Sequence, residues 1–148
     1  MKLSEIEDLW TVDSELDRSE LAEESLKIPR LHSKYFRILS EERIRLRVLE
    51  NDKLSLKRDK YEFFKMGDIE KERKLGWKYP DINNGNTILN SDIPLYMDSD
   101  TDIQNINLKI VIQLEKIELL KSIIQTLNNR GFHIKNCIDW LKFTHGND

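Results

Sequence analysis

The 148-residue sequence is long enough for one domain with a core of its own. Its 39% hydrophobic and 34% charged residues, with few Gly and Pro, favour long, charge-laced helices over a glycine-rich all-β fold. The formal net charge of −3 conceals segregation: residues 1–26 carry 2 basic and 9 acidic groups, residues 27–65 carry 12 and 6. A polyanionic partner is therefore not excluded, because the local field follows the nearest charges. The single Cys137 forbids an intrachain disulfide and fits a reducing cytoplasm. Neither a signal peptide nor a membrane span is expected, since no apolar run is long enough.

In chain order, residues 1–18 read as an acidic segment, loosely ordered or peripheral, with Leu3, Ile6, Leu9 and Trp10 as isolated apolar contacts. A helix is expected from about Asp17, with Glu20 as a capping-box partner, and Pro29 should kink or divide it. From Arg30 to Phe64 there is no Gly or Pro, and Leu39, Leu46, Leu49, Leu56 and Phe63 recur at helical spacing. Gly67 should end this helix. Residues 66–100, punctuated by Pro80, Asn83-Asn84-Gly85-Asn86 and Pro94, read as a long connection anchored by Ile88-Leu89 and Leu95-Tyr96.

A second long helix follows, capped by Ser99 and Asp102. Ile103, Ile106, Ile110, Gln113, Ile117, Leu120, Ile124 and Leu127 alternate spacings of three and four, a heptad seam with one polar break. Gly131 should interrupt it, leaving a short C-terminal helix marked by Phe132, Ile134, Ile138 and Leu141. The expected fold is all-α: a long helical hairpin with a short C-terminal helix. Its parts are an N-terminal segment and basic helix (1–65), a connecting loop (66–100) and a C-terminal helical region (101–148). A thin monomer should not cover such an aliphatic seam, so Ile103, Ile106, Ile110, Ile117, Leu120, Ile124, Leu127, Ile138 and Leu141 are assigned to self-association.

Catalytic and metal signatures are weak. Asp98, Asp100 and Asp102 imitate the opening of a calcium loop, but Ile103 and Lys109 stand where that loop needs Gly and Glu. His133 and Cys137 lie one helical turn apart without further ligands or an orienting group, so helix packing explains them better. Phosphate-binding glycine loops and nucleophile elbows are absent from the sequence. No enzyme, metal or cofactor is expected.

The sharpest local signal is Lys57-Arg58-Asp59-Lys60-Tyr61-Glu62-Phe63-Phe64-Lys65. Cations displace counterions from phosphates, and aromatic faces stack on unpaired bases. On an ideal helix Lys53, Lys57, Lys60 and Phe64 share one stripe, while Arg58 points away with Arg47 and Lys65. Lys53, Lys57, Arg58, Lys60, Tyr61 and Phe64 are thus candidate nucleic-acid contacts. The alternative is an ordinary solvated helix whose Tyr61, Phe63 and Phe64 belong to the core.

The segment Leu31-His32-Ser33-Lys34-Tyr35, with the basic helix ending in Arg58-Asp59-Lys60-Tyr61-Glu62-Phe63-Phe64, resembles the first half of the UvsY family of T4-type phages. Arg130-Gly131-Phe132-His133-Ile134-Lys135 and the helix after it resemble the family's C-terminus. Residues 88–100 match more loosely, and residues 66–86 depart from the pattern. The resemblance implies a ring-like homo-oligomer, a hexamer or heptamer, that binds single-stranded DNA without sequence preference. It also implies contacts with a UvsX-type recombinase and the phage single-strand-binding protein, in recombination, repair and recombination-dependent replication. The family's DNA-binding pair falls on Arg58 and Lys60, with the two basic types exchanged, and its C-terminal helices oligomerise. The competing reading is a non-catalytic helical scaffold that binds partner proteins but no nucleic acid.

Overall fold

A computed structural model describes residues 1–80 and 87–146; the Asn83-Asn84-Gly85-Asn86 turn lies outside the described residues. Five α-helices appear in them, α1 (Leu3–Asp13), α2 (Leu21–Met66), α3 (Ile69–Leu75), α4 (Ile93–Asp98) and α5 (Thr101–Thr144), with a 3-10 turn at Asn90–Asp92. There is no strand among the described residues, so the class is all-α as expected. No helix among them is long and apolar enough to cross a membrane. The chain divides into two compact units. The first joins Met1–Arg45 to Ile112–Asp148, and the second is Leu46–Val111, so α2 and α5 each contribute to both.

Neither Pro29 nor Gly131 divides its helix. Pro29 sits inside α2 without ending it. Its missing N–H strands the carbonyl of Ser25, but both residues are on the exposed surface, where water can take that carbonyl. Gly131 likewise sits inside α5, so the C-terminal helix is a continuation of α5. One interior glycine costs about 1 kcal/mol, which burial of the nearby Ile134 side chain and the hydrogen bonds of Arg130 offset. Gly67 does terminate α2: its φ of 72° is left-handed, and its N–H reaches the Phe63 carbonyl at 2.7 Å.

Most of the N-terminal segment forms a helix and is not loosely ordered. α1 buries Ile6 completely and sets Trp10 edge-on to Tyr35, with ring centroids 5.4 Å apart. Asp13, at its end, accepts from Lys34 Nζ at 2.6 Å and Tyr35 Oη at 2.7 Å. Arg130 of α5, itself buried, donates to the carbonyls of Asp13, Ser14 and Glu15 at 3.1, 2.8 and 3.2 Å. That guanidinium satisfies the carbonyls a helix end leaves unpaired and places a cation at the negative end of the helix dipole. Asp17 does not cap α2; its carboxylate instead accepts from the Ser19 backbone and hydroxyl.

Elsewhere in the first unit, Gln113 of α5 donates to the buried Glu42 carboxylate and, at 2.8 Å, to the Glu42 carbonyl. Lys116, Arg45 and the N-terminal amine surround the same carboxylate at 3.9, 3.2 and 3.7 Å. The polar break in the α5 seam is thus a partner for a buried acid. Ile117, Leu120 and Leu127 of that seam are buried inside the unit. The monomer covers them, so their assignment to self-association is corrected.

The second unit closes around Phe63, Phe64, Ile88, Ile93, Met97 and Ile103, with Leu56, Trp77, Tyr79 and Tyr96 packed against them. Ile103 therefore also belongs to an internal core. The connecting region is partly helical: Asp68 caps α3 through the N–H groups of Glu70 and Lys71. Ile88 is an anchor as expected, but Leu89 and Leu95 are exposed, and Ile93 and Met97, one turn apart on α4, do the burying. Tyr79 Oη donates to the Phe64 carbonyl and accepts from Ile88 N–H, both at 3.0 Å, tying the end of α2 to the core.

Burial pushes the Asp13 carboxyl up, but hydrogen bonds from Lys34 and Tyr35 and the charges of Lys34 and Arg130 outweigh it, leaving its pKa below the usual 3.8. Burial first, then the bond to Asp13 and its charge, raises Tyr35. A folded-state acid stronger than its unfolded counterpart stabilises fully above the ordinary carboxylate value and loses that contribution as pH falls through the lower folded one. Asp13→Asn should therefore lower the melting temperature at pH 7. The gap to wild type should shrink below about pH 4, as thermal melts across pH will show; a gap independent of pH would remove Asp13 from this role.

Candidate nucleic-acid interface

The basic segment occupies the last three turns of α2, where the Leu- and Lys-rich sequence is helix-favouring and Gly67 sets the end. Its inward face is fixed by Leu56, Phe63 and Phe64 and by one cation. Lys60 is 2% exposed. Its ammonium lies 3.0 Å from Asp100 Oδ1, 2.9 Å from Asp102 Oδ2 and 4.1 Å from the centroid of the Trp77 ring. The two carboxylates and the electron-rich ring face replace the water that the ammonium gives up. Asp100 does double duty, since its other oxygen accepts from Ile103 N–H at 3.1 Å and so caps α5. Ser99 turns back to the carbonyls of Leu95 and Tyr96 rather than capping α5.

The six candidate contacts do not share a face. Lys57, Arg58 and Tyr61 are exposed, and Lys53 is half-buried. Lys60 and Phe64 are buried, so the expectation that they touch DNA is corrected: the helix rolls to put the stripe of Lys53, Lys57, Lys60 and Phe64 at the edge of its own core. Phe64 packs near Phe63 and Tyr96 at centroid separations of 5.5 and 6.2 Å. Phe63 is enclosed by Trp77 at 5.3 Å and Tyr79 at 5.8 Å. The core reading of the two phenylalanines holds, whereas Tyr61 faces water.

Arg58 makes one 3.5 Å contact with the neighbouring Asp59 and keeps a side chain 72% exposed. Exposed pairs of this kind contribute about 0–1 kcal/mol, so a phosphate can displace the carboxylate. Lys57 makes no ion pair among the described residues. The face can thus attract an anion through Lys57 and Arg58 and offer Tyr61 as a flat apolar surface. Of the residues proposed for self-association, Ile106, Ile110, Ile124 and Ile138 are half-buried and Leu141 is exposed. The apolar α5 residues that the chain leaves most open in the first unit are Phe132, Trp140 and Phe143, with Leu114 exposed to a lesser degree.

The sequence profile of the family described as recombination, repair and ssDNA binding protein UvsY matches residues 9–147. The chain belongs to the UvsY family. At family level this places it among recombination, repair and single-stranded-DNA-binding proteins. Crystal structures of the bacteriophage T4 recombination mediator protein UvsY share the fold. Lattice type IV matches with a TM-score of 0.77 at 15% identity, covering 97% of this chain and 99% of that one. Lattice type I gives 0.72 at 16% identity, covering 95% and 98%, and lattice type II gives 0.69 at 17%, covering 99% of each. No curated protein sequence matches significantly.

The partners of Lys60 were not legible in the UvsY-like segment, since Asp100 and Asp102 stand some 40 residues away. Lys60→Met should cost about 3 kcal/mol, the low end for breaking a buried pair, because Asp102 remains half exposed and can be hydrated. Denaturant melts measure this loss. The variant should retain the salt dependence of oligo-dT binding wherever it is folded, and a slope reduced by about 0.7 would return Lys60 to the DNA contacts.

Proposed function

We propose that this UvsY-family chain is a non-catalytic recombination mediator. It holds single-stranded DNA on the outward face of α2 and helps a UvsX-type recombinase replace single-strand-binding protein on the strand. The observation that carries this reading is the exposed Lys57, Arg58 and Tyr61 on a helix whose other face is pinned by a buried core. Cations for phosphates beside an aromatic face suit an unpaired strand of any sequence. The scaffold alternative would leave these cations in an acidic protein without a partner. Self-association, which would repeat the face along one strand and raise the effective concentration of contacts, is assigned to apolar α5 residues left open, Leu114, Phe132, Trp140 and Phe143.

Lys57→Ala with Arg58→Ala should flatten the plot of log affinity against log salt by about 1.4 per engaged subunit, at about 0.7 per phosphate. The loss should be the same for oligo-dT and mixed-sequence oligonucleotides, because phosphate contacts carry no base information. Sedimentation of the same samples reports the particle mass, and a wild-type monomer would contradict self-association. If the folded double variant binds with unchanged affinity and slope, the scaffold reading replaces this one.

A further inference from the structure

The exposed face of α2 in the second unit extends well beyond Lys57 and Arg58. Arg47, Asn51, Leu54, Arg58, Tyr61 and Lys65 follow one another at spacings of four and three, and every one of them is exposed. Such spacing puts side chains on a single stripe of a helix. At 1.5 Å per residue the stripe runs about 27 Å. It lies opposite Leu49, Leu56, Lys60 and Phe63, so the buried ammonium and the aromatic core that fix the roll of α2 also turn this stripe outward.

We propose that this stripe is a track for unpaired DNA, with Arg47, Arg58 and Lys65 on separate phosphates along the strand and Tyr61 stacked on a base. The proposal rests on the single-strand-binding reading above and adds contacts at Arg47 and Lys65. Three of the six positions are cationic. Arg47 touches only Glu50, at 3.6 Å, and Arg58 only Asp59, at 3.5 Å, among the described residues, with both arginine side chains more than 70% exposed. Both pairs are of the weak, exchangeable kind. Tyr61 is 43% exposed and stacks on no ring among the described residues, while Leu54, 68% exposed, gives the middle of the stripe an apolar floor. A seam for the helix of a second copy would share the four-three spacing. It calls for apolar residues at those positions, and here Arg, Asn, Leu, Arg, Tyr and Lys occupy them. A polyanion with flat apolar bases fits that alternation better.

Fluorescence anisotropy of labelled oligo-dT on the full-length protein across salt concentrations tests the track, with Arg58→Ala as reference. Arg47→Ala with Lys65→Ala should flatten the salt slope by about 1.4 per engaged subunit. Tyr61→Leu should weaken binding about fivefold or more with the slope unchanged, and Tyr61→Phe should restore it, because stacking needs the ring and not the hydroxyl. If Arg58→Ala weakens binding while Arg47→Ala/Lys65→Ala and Tyr61→Leu match wild type, the track is wrong and the single-strand-binding reading stands. If none of them, Arg58→Ala included, changes affinity or slope, that reading falls too. A changed particle mass for Arg47→Ala/Lys65→Ala would make the stripe a subunit contact and overturn the track.

Discussion

A lysine ammonium removed from water must be compensated or it will not stay charged in a core. Lys60 is compensated three times, by Asp100, by Asp102 and by the face of Trp77. Apolar packing alone would tolerate some rotation of α2, since Leu, Phe and Met can exchange places at modest cost. A buried cation with two named acceptors tolerates little, because a turn of the helix would strand it without partners. Lys60 and the phenylalanines after it therefore set the roll of the helix, and the roll decides which basic residues meet solvent. What this stretch of the helix can bind follows from where its buried cation goes.

The first unit uses the same device with the signs distributed differently. Glu42 is a buried charge there, held by Gln113, Lys116, Arg45 and the N-terminal amine. Arg130 supplies the docking point for the end of α1. The acidic N-terminus is thus a helix with one face buried and its glutamates outside, and its charge is presented at fixed positions. A segment that would repel phosphate is held on the structure by hydrogen bonds to its own carbonyls.

Much of the fold was legible because helix length and apolar spacing report directly on burial. The two long helices and the stop at Gly67 needed only local pattern. The glycine and proline breaks misled because a break costs a small, local energy that surrounding burial can offset, as at Pro29 and Gly131. α1 was missed because its docking relies on Tyr35 and Arg130, distant in sequence, and its own apolar residues are few. The α5 seam was correctly found as a seam and wrongly given to another copy: Ile103, Ile117, Leu120 and Leu127 are covered within the chain. At the candidate site, Arg58, Lys57 and Tyr61 kept the exposure that the sequence suggested. Lys60 did not, since a lysine reads as surface unless its carboxylates are known, and those stand at the far end of the connection.

Covalent labelling of lysines, read by mass spectrometry on the free protein and with saturating oligo-dT, tests the orientation of α2 most directly. The account predicts that Lys57 and Lys65 are modified in free protein and protected by the strand, while Lys60 resists modification in both states. Lys60 that is readily modified in the folded, free protein and becomes protected on DNA binding would contradict it.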